Sequence, residues 1–214
     1  MKKMMRKLIT GMLFLTLSVG FVSAQTQFGI KGGYNASKLV AEKGGYTSKN
    51  LSSFNAGVVA DIDLAPALTV RTGLEIAGKG GKYESNVGNL EIKPLYLEVP
   101  FTLNVNFPIS QAVKVYAGAG PYVGVGIGGK IKTSGTPLGI FNDNVDINWG
   151  SDNKSHLKRV ESGLNVGAGL KFNKRVGLHV QYELGLTDNA TDFSKTAFGK
   201  MTGRNLGVSG IVYF

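Results

Sequence analysis

The stretch Val208-Ser209-Gly210-Ile211-Val212-Tyr213-Phe214 closes the chain on an aromatic residue. Most soluble domains end in a frayed polar segment. Here Leu206, Val208, Gly210, Val212 and Phe214 share one face of a two-residue pattern, so the final residue belongs to a strand. The same polarity recurs upstream, and its repetition decides the fold.

Read in twos, the chain carries eight candidate strands. The first runs from about Thr26 to Asn35, with Phe28, Ile30 and Tyr34 on one face. In the second, about Ser53 to Leu64, Phe54, Ala56, Val58, Ala60, Ile62 and Leu64 alternate with Asn55, Gly57, Val59, Asp61 and Asp63. The third, about Leu68 to Lys79, sets Leu68, Val70, Leu74 and Ile76 against Arg71, Glu75 and Lys79. The fourth spans about Ile92 to Phe107 and the fifth about Val113 to Gly128, the latter with five glycines beside Lys114, Tyr116 and Tyr122 on its polar face. The sixth (about Arg159 to Phe172), the seventh (about Val176 to Leu186) and the C-terminal strand complete the set.

The connections alternate in length. Pro66, Asn106–Ala112 and Asn173–Arg175 mark short turns, while 36–52, 80–91, 129–158 and 187–203 are longer polar loops. Three short turns facing four long loops put both termini on the short-turn side, the topology of a transmembrane barrel. Several strands approach the ~9–11 residues that cross hydrocarbon at a tilt. A secreted sandwich or a lipocalin-like barrel also alternates, but keeps its apolar face inside. In this chain one face is apolar and nearly uncharged; the other is polar, of mixed charge and crowded with glycine. Glycine weakens a solvated strand, yet it leaves room for long side chains inside a narrow barrel. Phe28, Phe107, Phe172 and Phe214 fall at the short-turn end, where an interfacial aromatic girdle belongs. The expected fold is therefore all-β, an eight-stranded antiparallel up-and-down transmembrane β-barrel. Pro100 and Pro121 fit it least, since proline cannot donate to the ladder; a bulge or a strand extension is expected near each.

The N-terminus agrees. Lys2, Lys3, Arg6 and Lys7 precede an apolar stretch from Leu8 to Val22 and the small residues Ser23-Ala24, the organisation of a secretory signal peptide. Cleavage after Ala24 would leave 25–214 as a single domain and remove four of the cations behind the formal charge of +10. No apolar run beyond the leader approaches the ~20 residues of a membrane helix. With no cysteine, disulfide and thiolate chemistry are excluded.

Five segments stand out together: Tyr96-Leu97-Glu98-Val99-Pro100-Phe101, Gly118-Ala119-Gly120-Pro121-Tyr122-Val123-Gly124, Gly163-Leu164-Asn165-Val166-Gly167-Ala168-Gly169, Tyr182-Glu183-Leu184-Gly185-Leu186-Thr187-Asp188-Asn189 and the terminal Tyr213-Phe214. In these the chain resembles the PorT-like outer-membrane β-barrel family of "porin family" proteins. The resemblance implies the outer membrane of a Gram-negative bacterium, with Phe214 as the signal read by the barrel assembly machinery. It also permits a role in protein secretion. Despite the family's label it does not establish a pore.

The inward face offers Arg71, Glu75, Lys79, Glu98, Lys114, Glu161, Lys171, His179 and Glu183. Buried charges need partners, so the expected arrangement is an interlocked ionic network that plugs the lumen. The other reading is a gate on a narrow ion path, which requires that network to rearrange, because side chains just fill eight strands. His179 with Ser209 and Glu183 offers a nominal nucleophilic set, but inside the lumen, away from lipid or protein substrates; His156 has Ser151, Asp152 and Ser155 nearby. No enzyme activity is expected. Gly124–Gly129 matches G-x-G-x-x-G without the strand-to-helix context a dinucleotide needs. Asp143, Asp146, Asn148 and Asp152 miss the EF-hand register, so no metal or cofactor is expected. Lys43, Lys49, Lys79, Lys82, Lys130, Lys132, Lys154, Lys158 and Arg159 cluster toward the outer ends, where cations meet lipid and lipopolysaccharide phosphates. Nucleic acid is not expected as a partner at this address despite the basic composition, and no aromatic–basic module is present. Trp149 is either an exposed contact or a loop anchor. The expected function is a non-enzymatic barrel whose external loops bind an unidentified protein partner or stabilise the envelope; a small-solute pore and a secretion accessory are the alternatives.

Overall fold

The computed structural model describes residues 25–41, 47–85, 88–134, 143–150, 155–191, 195 and 199–214. The leader read at 1–24 lies outside them. The strands are β1 (Thr26–Ala41), β2 (Thr47–Lys49), β3 (Leu51–Ala65), β4 (Leu68–Gly78), β5 (Gly81–Ser85) and β6 (Gly88–Pro108). They continue as β7 (Val113–Ser134), β8 (Asp143–Asp146), β9 (Val160–Phe172), β10 (Val176–Gly185) and β11 (Met201–Tyr213).

Eight of these close a ring. β1 pairs with β11 and β3, β4 with β3 and β6, β7 with β6 and β9, and β10 with β9 and β11, all antiparallel. No ring strand keeps a free edge, so apart from the steps beside Pro100 and Pro121 the backbone of the spanning region is paired without water. The alternation is inside out. Val58 is 53% exposed and Leu74 46%, whereas Arg71 is 5% and Glu98 2% exposed. Such a surface is stable only against acyl chains.

Several strands outrun the sequence expectation. β1 continues to Ala41, β6 begins at Gly88 and β7 reaches Ser134. Stretches expected as polar loops thus carry on as sheet above the apolar belt. β2 and β5 extend the sheet beside β6, and β8 extends it beside β7. On this external sheet an ion pair joins Lys49 of β2 to Glu84 of β5, and others run along single strands, Lys82 to Glu84 (3.1 Å) in β5 and Lys93 to Glu91 (2.5 Å) in β6.

The prolines interrupt the ladder without bulging it. β4 and β6 pair at Thr72–Phe101 and again at Glu75–Glu98 in unchanged register, skipping Pro100. β6 and β7 skip the pairs beside Pro121 in the same way. Thr72 Oγ1 donates to the Pro100 carbonyl at 2.9 Å. The register shift sits instead at Leu95/Tyr96, beside Gly126–Gly128. A one-residue slip at either proline would turn every later side chain to the opposite face, so an unpaired step is the smaller disturbance.

Candidate functional site: the barrel interior

β4 organises the lumen. Arg71 and Glu75 on its inward side and Lys79 just past its last residue follow one another at four-residue steps, about 13 Å apart along the chain. Each anchors a layer of polar contacts.

The lowest layer lies toward the short turns. Arg71 Nε and a second guanidinium nitrogen donate to the two Asp61 oxygens at 2.7 and 3.0 Å. The same guanidinium donates to the Tyr116 and Tyr213 hydroxyls at 2.8 Å each. Lys171 Nζ reaches Asp61 at 3.2 Å and lies 3.9 Å from the Tyr213 ring centroid. His179 stacks on Tyr116, with Nδ1 3.1 Å from its hydroxyl.

In the middle layer, Lys31 Nζ donates to Glu75 at 2.7 and 2.9 Å and to Gln181 Oε1 at 2.7 Å. Asn55 Nδ2 donates to Asn35 Oδ1 at 2.7 Å, and Ser209 donates to Asn55 Oδ1 at 2.8 Å.

The upper layer gathers three carboxylates around one ammonium. Lys79 Nζ lies 2.6 Å from Glu98, 3.0 Å from Glu161 and 2.8 Å from Glu183. The Tyr122 hydroxyl and Asn189 Nδ2 donate to Glu161 at 2.7 and 2.8 Å, and Asn205 Nδ2 donates to Glu183 at 3.0 Å. Lys79 Nζ also lies 4.2 Å from the Tyr122 ring centroid. Lumen glycines make this crowding possible: a Cβ on Gly163 would come within 2.7 Å of the Tyr122 ring, and one on Gly169 would come closer still to the Tyr116 ring.

Above these layers the external end is apolar. Leu39, Tyr83, Ile92, Ile147, Leu157, Ala190 and Met201 form a buried cluster with Trp149 packed on it. Trp149 folds inward onto Gly126 and meets Tyr96 edge-on at 5.4 Å. It is therefore a loop anchor. Asp188 braces the neighbouring connection by accepting from the amides of Ala190 (3.0 Å) and Met201 (3.1 Å). Burial alone would raise this carboxyl; those amides and the Lys195 ammonium outweigh it and hold the group below its ordinary value.

Of the nine inward candidates, the structure joins Arg71 and Lys171 in the lowest layer, with His179 against it. Glu75 lies in the middle layer, and Lys79, Glu98, Glu161 and Glu183 in the upper one. Lys114 joins none of them: among the described residues no carboxylate lies within ion-pair distance of it, and it lines the open short-turn end. Lys31 and Asp61 are members that the charge reading of the sequence missed. Asp61 already stood on the polar face of its strand, and Lys31 stood opposite Phe28, Ile30 and Tyr34, flanked on its own face by Gly29 and Gly33. Ser209, His179 and Glu183 bond to Asn55, Tyr116 and Lys79, not to one another. Gly124–Gly129 lies within β7. Asp143 and Asp146 bound β8, while Asp152 falls outside the described residues. Phe214 ends the outward face, 77% exposed.

Residues 23–191 match the family described as "Outer membrane protein beta-barrel domain". The chain belongs to this family. This outer-membrane barrel matches no curated protein. Among solved structures it is similar to the attachment invasion locus protein Ail of Yersinia pestis, with 20% identity over 88% of this chain and 98% of that one, at a TM-score of 0.43. It is also similar to Neisserial surface protein A, with 11% identity over 87% and 97% at 0.47. OprG of Pseudomonas aeruginosa gives 13% identity over 89% and 97%, also at 0.47.

Proposed function

We propose that this outer-membrane protein is a closed, non-enzymatic barrel whose work is done by its external sheet and loops, which bind a protein partner or brace the envelope. The observation that carries this is the interior: three polar layers and an apolar cluster occupy the lumen, while β2, β5 and β8 widen a sheet above the membrane. In this reading the nine inward residues are structural and no catalytic group, metal or cofactor is used. The exposed Lys130 and Lys132 on the outer part of β7 suit the phosphates of outer-leaflet lipopolysaccharide.

The leader at 1–24 directs export and is removed after Ala24, and Phe214 is read by the assembly machinery. We place the chain among the PorT-like members on the strength of Tyr96–Phe101 and the glycine-rich segments of β7 and β9. Association with a secretion apparatus is then one form the external partnership can take.

Affinity capture from intact outer membranes tests the reading. The wild-type protein should retain a partner that a Lys130→Glu, Lys132→Glu, Val145→Ser variant loses while still folding. A wild type that captures nothing, and whose deletion leaves envelope integrity unchanged, contradicts it.

A further inference from the structure

The two ends of the lumen are not equivalent. Outward, the apolar cluster closes it; toward the short turns it opens into a polar vestibule of about 440 Å3. That volume lies within the ~300–1,000 Å3 typical of small-molecule sites. Gln25, the first described residue of the barrel, lines this end, and Phe214 and the short turns lie beside it; this is the periplasmic side of an outer-membrane barrel. Its lining includes Arg71, Lys114, Lys171, Lys174, Asp61 and Asp63, two more cations than anions.

Two features of this lining have no structural return of their own. First, Lys114 and Lys171 are direct cross-strand partners between β7 and β9, both on the inward face. Like charges directly opposite destabilise a sheet. Lys171 turns away to Asp61, and Lys114 is left facing the vestibule. Second, Lys174 sits in the turn Asn173–Arg175 with φ of 58°, the left-handed region. The Arg175 amide donates to the Phe172 carbonyl at 2.9 Å, so Asn173 and Lys174 are the two central residues of the turn, both at positive φ; such a pair favours Asn-Gly, and here the second position holds a lysine. The turn is fixed in place, with Gln27 Nε2 donating to the Lys174 carbonyl at 2.5 Å and the Asn173 amide donating to the Ala112 carbonyl at 2.7 Å.

We propose that this vestibule binds a small periplasmic solute through an oxyanion, carboxylate or phosphate, held between Lys114 and Lys174. The Arg71–Asp61 layer forms its floor, so the site is a cup and not a path. An oxyanion there relieves the Lys114–Lys171 repulsion, and a concave mouth lined by one excess sign of charge concentrates its field.

The test uses the protein purified from outer membranes in nanodiscs, titrated separately with inorganic phosphate, with an acetylated tripeptide bearing a free C-terminus, and with the same tripeptide amidated. Saturable binding of phosphate or of the free peptide, weakened by added salt, is expected; which of the two binds identifies the source of the oxyanion. Lys114→Gln combined with Lys174→Gly should weaken that binding at least about tenfold. Its thermal midpoint should hold, because the glycine suits the turn. Lys132→Gln on the external sheet should leave the affinity unchanged. Failure of every probe to saturate, equal binding of the amidated peptide, or unchanged affinity in the double variant overturns the site.

Discussion

Lys79 holds three carboxylates within 3.0 Å of its ammonium, so the two signs of substitution have unequal consequences there. Lys79→Met leaves Glu98, Glu161 and Glu183 facing one another without a cation, and should cost about 3–5 kcal/mol, the range for breaking a buried pair. Glu98→Gln removes one of three negative charges while the ammonium keeps two, and should cost under about 1.5 kcal/mol. Urea unfolding in lipid vesicles measures both; equal losses would show that the upper layer is not organised around Lys79. At this scale the sequence told much about which side chains point inward, because alternation fixes the face of Arg71 and Glu183. It told little about who meets whom. The partners Lys31–Glu75 and Asp61–Lys171 come from strands far apart in the chain, and only the closure of the ring brings them together.

The strands themselves were the most legible level, since a pattern of period two over eight segments leaves few folds. Their outer ends were not, because above the membrane the apolar face is no longer required and the pattern fades while the backbone ladder continues. Val58 lies mid-strand on the outward face of β3; Val58→Arg should cost about 2–4 kcal/mol of folding into lipid if it sits near the midplane. A negligible change in vesicle unfolding would refute the placement of that face. The connection bearing Trp149 behaves as packed structure, not as a free loop. Trp149→Ala should lower stability by about 2 kcal/mol through lost burial, and raise amide exchange at Ile147 and Leu157, which hydrogen-exchange mass spectrometry reads. Asp188 adds a pH dependence of known sign. Its folded-state carboxyl is held low, so its stabilisation is present above the ordinary carboxylate value near ~3.9 and is lost as pH falls through the lower folded value. Peptide-level exchange around Ala190 and Met201 should rise in acid, and Asp188→Asn should remove that rise.

Over the whole molecule the interior is graded: an open cationic mouth, a layer around Arg71, a neutral pair at Lys31–Glu75, an acid-rich layer around Lys79 and an apolar seal. Composition and topology indicated a narrow barrel, but the seal was not readable in advance. Its members Leu39, Tyr83, Ile147, Leu157, Ala190 and Met201 come from five separate segments. Met201 and Leu39 also continue the inward face of their strands, where Asn35, Ser37, Asn205 and Ser209 below them are polar. The central claim is that this lumen is closed to solutes, and single-channel recording in planar bilayers tests it most directly. The purified wild-type barrel should insert without discrete conductance steps; reproducible unitary steps from the intact protein would contradict the account.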